Sequence, residues 1–363
     1  MDFTLTPYKN LLQTLQAQGY TFITFHDYLV QFGETRNSSP TTPHPQPTTF
    51  NPSPATRNSS PTTRLILLRH DVDLLPKNSL ATAKMEHELG IKGSYYFRMV
   101  PESFDVEIIR EIAEMGHEVG YHYETMDSAS GSEKLKVKNE KLKVKSGALN
   151  LSKCLSKCFP KYLKDKDWLC RAPLRFGCFA QNARIDGNKC NDAQKGNDGK
   201  ECKDKLIDAA YQQFCENLEK FRQVADVTTI CMHGSPRSNY DNRDIWTKYS
   251  YKELGLIGEP YFDIDFDDFF YLTDTGRRWD GHRVSVRDKM PQQERWASEG
   301  LIFRSTKDII KAANEKRLPN RIMITVHPQR WSDSFFIWTK ELVVQNLKNI
   351  VKRVIVRKLK TNN

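Results

Sequence analysis

The chain lacks long apolar runs, and this absence argues against a membrane-spanning protein. No stretch approaches the roughly 18 consecutive apolar residues that a membrane-spanning helix needs. The first residues, MDFTLTPYKNLLQ, lack the charged and then apolar pattern of a secretory leader. We therefore expect a cytoplasmic protein without a membrane span, and the mean hydropathy of −0.64 agrees with this expectation.

The sequence also lacks the signatures of two common kinds of site. Ser235, in the run MHGSP, does not lie in a G-x-S-x-G motif, which argues against a serine hydrolase. Most of the cysteines lie in one segment without the repeated close pairs of a structural zinc site, and we expect free thiols there. These cysteines are Cys154, Cys158, Cys170, Cys178, Cys190 and Cys202.

The net charge of +10 is confined to the same segment. Residues 129–205 contain 19 Lys and Arg against 9 Asp and Glu, and the rest of the chain has 36 of each sign. No RNA- or DNA-binding motif accompanies these lysines. Because runs of like charge are usually solvated surface, we expect no nucleic-acid partner.

Two segments of low complexity interrupt the chain. Residues 34–63 are rich in Pro, Ser and Thr and contain TRNSSPTT twice, so they cannot bury enough apolar surface to fold. Residues 129–205 contain KLKVK twice and are interpreted as a basic repeat insertion. The predicted organisation is an N-terminal helix and strand of a barrel domain (1–33), a disordered insertion (34–63), the first half of the barrel (64–128), the basic insertion (129–205), and the second half of the barrel with a C-terminal helix (206–363).

Short apolar runs of strand length recur outside the insertions, and most end in Asp, His or Arg. Such runs are typical of strands buried on both faces of a parallel sheet. Helical patterns separate several of them, so the alternation predicts an α/β fold whose polar strand ends gather at one rim. The predicted strands lie within residues 65–73, 93–99, 117–124, 228–236, 269–281 and 321–328. The predicted helices cover residues 79–89, 104–115 and 206–224 and a stretch that begins at Ser305, with Asp308 as a capping partner, and stops at Pro319.

Paired carboxylates follow the first of these buried runs. Asp71 and Asp73 lie two positions apart, so strand alternation points them the same way. This arrangement suits a general base beside a metal ligand. The alternative is a pair of loop aspartates that stabilise turns.

Histidines close three later runs. His122 and His327 are candidates for the same site, because convergence with the two aspartates favours catalysis over a purely structural role. His233 is a further candidate. His117, which comes before its strand, is expected to bond to the backbone.

The order of these motifs resembles the polysaccharide deacetylases of carbohydrate esterase family 4. The matching features are a strand followed by HDVD, a helix followed by GHEVGYH, and a late strand that ends in His. The resemblance covers most of residues 64–331 outside the insertions, and residues 8–28 resemble the helix and strand that often precede the first motif. It is strongest for deacetylase-like proteins of surface-polysaccharide biosynthesis, in which HDVD, GYHYE, MHGSP and TDTGRRWDG recur. The resemblance implies a distorted (β/α) barrel with fewer than eight strands.

The resemblance also implies a reaction and a role for each residue. The reaction is hydrolysis of an N-acetyl group on a sugar, assisted by a divalent metal for which Zn²⁺ is the expected ion. Asp71 corresponds to the catalytic base, Asp73 and His122 correspond to metal ligands, and His327 corresponds to the general acid.

One metal ligand of the family is missing at its usual position. Four residues after His122 the family has a second histidine, and here that residue is Met126, whose thioether is poorly matched to zinc among oxygen and nitrogen donors. His233 is the expected third ligand, and Glu124 is the next choice.

The catalytic arginine of the family also has no clear counterpart. Arg171, in the run RAP, matches its signature but lies inside the basic insertion, and we treat the match as a coincidence. His233, Arg277 or Arg278 is expected to take over the orienting role.

A carbohydrate substrate requires polar and aromatic side chains at the rim. The loop TDTGRRWDG follows a predicted strand and supplies Arg277, Trp279 and Asp280, which suit hydrogen bonding to hydroxyls and stacking on a sugar ring. Arg98, after another strand, is also predicted to contact the substrate. The alternative for the loop is a structural turn with an exposed tryptophan.

Three functional hypotheses follow. The first is a metal-dependent deacetylase of an N-acetylated sugar or glycan precursor. The second is a barrel of the same descent that has lost hydrolysis and binds carbohydrate or a protein partner, and Met126 is its main support. The third is a basic interaction protein, which depends on residues 129–205 alone.

Overall fold

The structure is a computed structural model that describes residues 1–33, 63–131, 197–234, 240–280, 290–346 and 349. The chain divides into a large unit, Met1–Thr125 with Tyr211–Asn363, and a small unit, Met126–Ala210. The organisation predicted for residues 34–63 and 129–205 lies largely outside the described residues, as does Arg171.

The large unit is built on a parallel sheet. Every strand pairing in it is parallel, and the order of strands is β5-β4-β3-β2-β7-β6, with β1 beside the first half of β2. The sheet curls into a half-barrel with fewer than eight strands, which confirms the predicted fold class. The strands are β1 (Thr21–Ile23), β2 (Leu65–Val72), β3 (Ser94–Phe97), β4 (Glu118–Tyr123), β5 (Ile230–Met232), β6 (Phe270–Thr273) and β7 (Arg321–Val326).

The last six strands lie inside the six predicted runs, and their burial explains why those runs are apolar. All eight residues of β2 are buried, because β3 and β7 flank it and helices cover it. Such a strand cannot alternate polar and apolar residues, and its polar groups appear only where it ends.

Helices connect the strands. They are α1 (Leu5–Ala17), α2 (Phe25–Phe32), α3 (Pro76–Glu88), α4 (Val106–Glu114), α5 (Asn197–Arg222), α6 (Pro260–Asp263), α7 (Gln293–Ser298) and α8 (Thr306–Asn314). Short 3₁₀ segments lie at Asn242–Thr247, Tyr251–Leu254 and Pro328–Arg330, and residues 335–346 are also helical. No helix in the described part of the chain is long and apolar enough to cross a membrane.

Helix α5 corrects the predicted limit of the basic insertion. The helix begins at Asn197, so the last residues of the segment predicted to end at 205 are helical. Cys202 in this helix is disulfide-bonded, so the expectation of a free thiol is wrong at that position.

The helix ends follow local sequence signals. Gly90 and Gly116 come directly after α3 and α4 with φ of 68° and 83°, the left-handed region that glycine adopts without strain. Ser305 caps α8, and the side chain of Asp308 accepts a hydrogen bond from the Ser305 N–H, which completes the predicted capping box.

A buried polar network lies beneath the rim of the sheet. Glu86 of α3 accepts hydrogen bonds from the hydroxyls of Tyr8 and Tyr95 at 2.5 and 2.9 Å, and its Oε1 lies 2.9 Å from Nε2 of His70 on β2. His117 accepts a hydrogen bond from the N–H of Gly93, as expected for a histidine bonded to the backbone. Because burying a carboxylate is costly unless it is paired and hydrogen-bonded, this network ties α1, α3 and β3 to the strand that leads into the site.

The capping box of α8 gives a test of the fold. Replacing its cap, Ser305→Ala, leaves the N–H of Asp308 without its side-chain acceptor and should lower the free energy of unfolding by about 1 kcal/mol. Urea denaturation measures the loss. Ser298→Ala, at the exposed end of α7, removes a hydroxyl that caps no helix N-terminus and serves as the control. Equal losses in both variants would contradict the role of the cap.

Candidate functional site

The site lies at the carboxyl ends of the parallel strands. In the register of the sheet Asp71 pairs with Tyr96 of β3, and the preceding residue of β2 pairs with Val326 of β7. The register therefore brings Asp73, Arg98 and His327, which directly follow these three strands, to one edge. The polar side chains gather there as the sequence predicts.

Three donors converge at this edge. Nε2 of His122 and Nε2 of His233 each lie 3.6 Å from Oδ1 of Asp73. The three ligand atoms all lie within 4.8 Å of one another. His122, the last but one residue of β4, is almost fully buried, whereas Asp73 and His233 are each 19% exposed, so solvent reaches one side of the group.

A polar partner lies on the side of each imidazole that faces away from Asp73. Nδ1 of His122 donates to the carbonyl of Cys231, at 3.0 Å. Nδ1 of His233 lies 3.0 Å from Oε2 of Glu124. Metal-binding histidines in proteins commonly have a carbonyl or carboxylate partner of this kind, which fixes the tautomer and the ring.

Asp73 has one oxygen engaged and one buried without a partner. Its Oδ2 accepts a hydrogen bond from Nε2 of Gln329 at 3.1 Å, but Oδ1, between the two imidazoles, accepts none from the described residues. Burial alone would raise the pKa of Asp73, and the neighbouring histidines outweigh burial and lower the pKa well below its usual value. The carboxylate is therefore ionised at neutral pH.

This donor set fits a divalent metal ion. Two imidazole nitrogens and one carboxylate oxygen are a ligand set of catalytic zinc sites, which use three protein ligands and keep a position for water or substrate. The orphaned Oδ1 of Asp73 is the acceptor that such a cation would satisfy. His233 supplies the third donor that Met126 does not. Met126 is fully buried.

A second possible donor group is less suited to a metal. Asp71, His122 and Cys231 also have ligand atoms within 4.8 Å of one another. Burial raises the pKa of the Cys231 thiol well above its ordinary value, and a protonated thiol is a poor ligand. The carboxylate of Asp71 is already paired with Arg69. Of these two groups, the one formed by Asp73, His122 and His233 is better suited to hold a metal ion.

Arg98 and Glu124 support His233. The guanidinium of Arg98 donates to both oxygens of Glu124, at 2.7 and 2.8 Å, and also to the carbonyl of Asp73 at 3.0 Å. Burial would raise the pKa of Glu124, but His233 and Arg98 lower it. The guanidinium of Arg98 thus holds Glu124 and the loop of Asp73, and its contact with substrate stays a prediction.

Asp71 is held by an arginine that the sequence analysis missed. Arg69 donates to both carboxylate oxygens of Asp71, at 2.7 and 2.6 Å, and both side chains are buried. Burial would raise the pKa of Asp71, but the guanidinium of Arg69 and the charges of His122 and His327 lower it. The feature of the sequence that indicates this pair is the i, i+2 spacing in RHD, which puts Arg69 and Asp71 on the same face of β2.

The arginine that contacts Asp71 is Arg69, whereas the orienting role was predicted for His233, Arg277 or Arg278. His233 belongs to the metal donor set. The guanidinium of Arg277 donates to the carbonyl of Trp338, and that of Arg278 pairs with Asp280.

His327 forms a hydrogen-bonded pair with Asp274, a second residue that the sequence analysis missed. Nδ1 of His327 lies 2.6 Å from Oδ1 of Asp274 and 2.9 Å from a guanidinium nitrogen of Arg330. Val326, directly before His327, pairs with His70 on β2, so His327 lies at the same edge of the sheet as Asp71. Its side chain is 12% exposed.

Asp274 is the centre of its own network. Besides the imidazole, it accepts hydrogen bonds from the N–H of His327 at 3.0 Å, from Arg330 at 2.6 Å and from the indole of Trp331 at 2.8 Å. A fully buried carboxylate with these partners holds the end of β7 against the end of β6. The signal in the sequence was an aspartate in TDTG directly after a strand.

The loop predicted to bind sugar is structural where the structure describes it. Trp279 is 4% exposed, packs against Phe3 and Trp331, and donates its indole N–H to Thr306. Asp280 is 3% exposed. The structure therefore contradicts the predicted substrate contacts of Trp279 and Asp280, since the indole is packed in the core and the carboxylate is paired with Arg278.

Arg277 is also buried, with 7% of the residue exposed. Its guanidinium lies over the rings of Phe3 and Trp338, at 5.3 and 4.7 Å from their centroids. The predicted substrate contact of Arg277 is therefore wrong as well. Sequence composition could not distinguish these packed groups from a sugar-binding set, because the same residue types serve both purposes.

No model of a known protein family, no curated protein and no solved structure matches the chain. The functional argument therefore depends on the geometry of the rim and on the motifs of the sequence.

A buried carboxyl group also holds the end of β5, directly before His233. Glu259 is fully buried and accepts hydrogen bonds from the N–H groups of Met232 and Tyr261, at 3.1 and 2.6 Å. Burial raises the pKa of Glu259 to about 7. The folded state therefore binds a proton at mildly acidic pH that the unfolded state releases.

The raised pKa of Glu259 predicts a pH dependence of stability. Its contribution is fully present below the unfolded pKa and is lost as pH rises through about 7. From pH 8 to pH 6, wild type should therefore gain about 1 kcal/mol of unfolding free energy relative to Glu259→Gln. Chemical denaturation at both pH values measures this difference, with Glu253→Gln, an exposed glutamate, as the control. A difference that does not change with pH would contradict the assignment.

Proposed function

We propose that the protein is a metal-dependent hydrolase that removes an N-acetyl group from a sugar or glycan precursor. The observation that carries the proposal is the meeting of three groups at one rim: the donor set of Asp73, His122 and His233, the carboxylate of Asp71, and the imidazole of His327. Amide hydrolysis needs activated water, a base and an acid, and these groups are suited to the three tasks.

The donor set supplies electrophilic assistance. A divalent cation, with Zn²⁺ the expected ion, would polarise a carbonyl and lower the pKa of water when bound by Asp73, His122 and His233. Glu124 and Arg98 keep His233 in position for this purpose. The partial exposure of Asp73 and His233 leaves room for an acetamide to approach.

Asp71 acts as the base. Because Arg69 holds it ionised and in one orientation, its carboxylate is ready to accept the proton of the attacking water at neutral pH. The proximity of His122 to Asp71, 3.9 Å between Nε2 and Oδ2, places the base next to the donor set.

His327 acts as the acid. Departure of the sugar amine requires a proton, and an imidazole whose Nδ1 is held by Asp274 delivers it from Nε2. This Asp–His pair supports a hydrolytic function over one limited to binding, because a binding site does not require an oriented proton donor.

The alternative of a non-hydrolytic carbohydrate-binding barrel loses its main support. That support was Met126, which stands where the family has a metal-binding histidine. His233, which follows β5, supplies the third donor instead. The hypothesis of a basic interaction protein rests on residues 129–205 alone, most of which lie outside the described residues.

Asp73→Ala tests the metal site. The variant should lose both bound zinc and acetate release, since Asp73 is the anionic member of the donor set. In wild type, zinc at about 100 times its dissociation constant should add about 2.7 kcal/mol to the free energy of unfolding, and this gain should vanish in the variant. Metal analysis, thermal denaturation with and without zinc, and acetate release from N-acetylated sugars provide the measurements.

The exposed Asp267→Ala is the matched control, because it removes a carboxylate on the same unit away from the rim. Retention of stoichiometric zinc by Asp73→Ala would contradict the metal site. Absence of acetate release from a wild-type protein that binds zinc would instead contradict the reaction.

His327→Gln tests whether His327 is the general acid or a metal ligand. Turnover should fall by roughly 10²- to 10⁴-fold, the usual contribution of a general acid, while zinc content stays unchanged. His87→Gln, an exposed histidine on α3, serves as the control. Loss of zinc in His327→Gln equal to that in Asp73→Ala would move His327 into the ligand set.

A further inference from the structure

Two pairs of exposed apolar side chains lie at the edge of the sheet that carries the proposed site. Leu74 and Leu75 directly follow Asp73 and are 38% and 41% exposed. Phe335 and Phe336, beyond the end of β7, are 64% and 85% exposed. Isolated exposed apolar residues are ordinary in proteins, but several of them on one surface mark an interaction site. We call these four side chains the apolar rim residues.

Hydrogen bonds join the two segments that carry these pairs. Nε2 of Gln329 donates to Oδ2 of Asp73 at 3.1 Å. Nδ2 of Asn78, in the first turn of α3, donates to the carbonyl of Trp331 at 3.2 Å. The chain after β2 and the chain after β7 are therefore held together, and both exposed pairs belong to the same edge of the sheet.

The backbone of Leu75 is in the left-handed region, with φ of 57°. A leucine adopts this conformation only at a cost in free energy. Its N–H donates to the carbonyl of Glu102 at 3.1 Å. Because 41% of the residue stays exposed, burial within the chain recovers only part of what full burial would give. Contact with an apolar phase outside the chain would recover the rest.

The helix at residues 335–346 adds to this surface. Phe336, Lys340 and Val343 follow the spacing i, i+4, i+7, so they share one face of the helix. Lys340 is exposed, and Val343 is 51% exposed. The indole of Trp338 donates to the carbonyl of Asp2 at 2.8 Å, which ties the helix to the fold. An exposed helix face of apolar residues with a lysine is suited to the headgroup region of a membrane.

The end of the chain supplies positive charge at the same edge. The side chain of Asn349 donates to the carbonyl of Gly276, in the loop after β6, at 3.0 Å. The chain therefore reaches residue 350 at the carboxyl edge of the sheet. Residues 350–363 contain no Asp or Glu. Their basic residues are Lys352, Arg353, Arg357, Lys358 and Lys360.

We propose that the apolar rim residues and the basic residues of 350–363 bind the surface of an anionic membrane. Basic clusters next to exposed apolar side chains are attracted to anionic lipid headgroups, while the apolar side chains enter the headgroup boundary. A second copy of the chain fits this surface less well, because two identical basic segments repel each other. The proposal does not depend on the proposed reaction, since binding to lipid requires neither the metal nor turnover.

The test is flotation of the full chain with two kinds of vesicle, phosphatidylcholine alone and phosphatidylcholine mixed with phosphatidylglycerol. Wild type should bind the mixed vesicles, and high salt or omission of phosphatidylglycerol should weaken binding. The double variant Phe335→Ser, Phe336→Ser should bind the mixed vesicles roughly tenfold more weakly, because two aromatic side chains no longer leave water. Leu74→Ser should bind them roughly threefold more weakly for the same reason.

A charge variant tests the basic residues separately. Replacement of Lys352, Arg353, Arg357, Lys358 and Lys360 by Gln should lower affinity for the mixed vesicles at least roughly tenfold. The same variant should bind pure phosphatidylcholine as wild type does.

The matched control removes two exposed apolar side chains elsewhere. Val30→Ala, Ile257→Ala changes residues that are 62% and 38% exposed, and Ile257 donates its N–H to the carbonyl of Thr228, which precedes β5 at the opposite edge of the sheet. This double variant should bind vesicles as wild type does. If the double phenylalanine variant fails to fold, Phe336→Ser alone provides the same comparison.

Three outcomes would overturn the proposal. The first is absence of binding of wild type to the mixed vesicles. The second is unchanged binding when Phe335 and Phe336, Leu74 or the basic residues are replaced. The third is dimerisation of wild type in solution, without vesicle binding, that the double phenylalanine variant abolishes, because this result would identify a second copy of the chain as the partner.

Discussion

The parallel register of β2 with its neighbours is the constraint on which the site depends. Hydrogen bonding of β2 to β3 and β7 fixes where Asp71 and Asp73 emerge relative to Arg98 and His327. The pairing of β4 with β5 likewise sets His122 opposite Cys231. A slip of one residue would turn these side chains to the opposite face of the sheet, so the geometry of the rim and the burial of the strands are specified together.

Each chemical group at the rim has a charged or hydrogen-bonding partner that holds it. Arg69 holds Asp71, Asp274 holds His327, and Glu124 holds His233. Such pairing is required, since an unpaired ion at these buried positions would be costly to fold. Oδ1 of Asp73 lies between two imidazoles and is buried without a hydrogen bond from the described residues, which makes the donor set a candidate for a cation.

Local sequence signals predicted much of the fold and part of the site. The six predicted runs contain strands because buried parallel strands need unbroken apolar residues, and the capping box at Ser305 and the glycine at Gly116 mark helix ends through interactions within one turn. Asp73 was predicted from the same logic, since a polar residue directly after a buried strand lies at the rim, and His122 was predicted from its place near the end of its run. The resemblance to a deacetylase family supplied their proposed roles.

Local patterns in the sequence were enough to predict the α/β alternation, the strand positions and the polar residues at the strand ends, because each depends on a few neighbouring residues. The use of those residues depends on the folded structure. Trp279 was assigned to substrate and lies in the core, whereas Asp274 was overlooked and contacts the proposed acid. The pairing of Arg98 with Glu124 likewise depends on a contact between residues far apart in the chain, which no local pattern encodes.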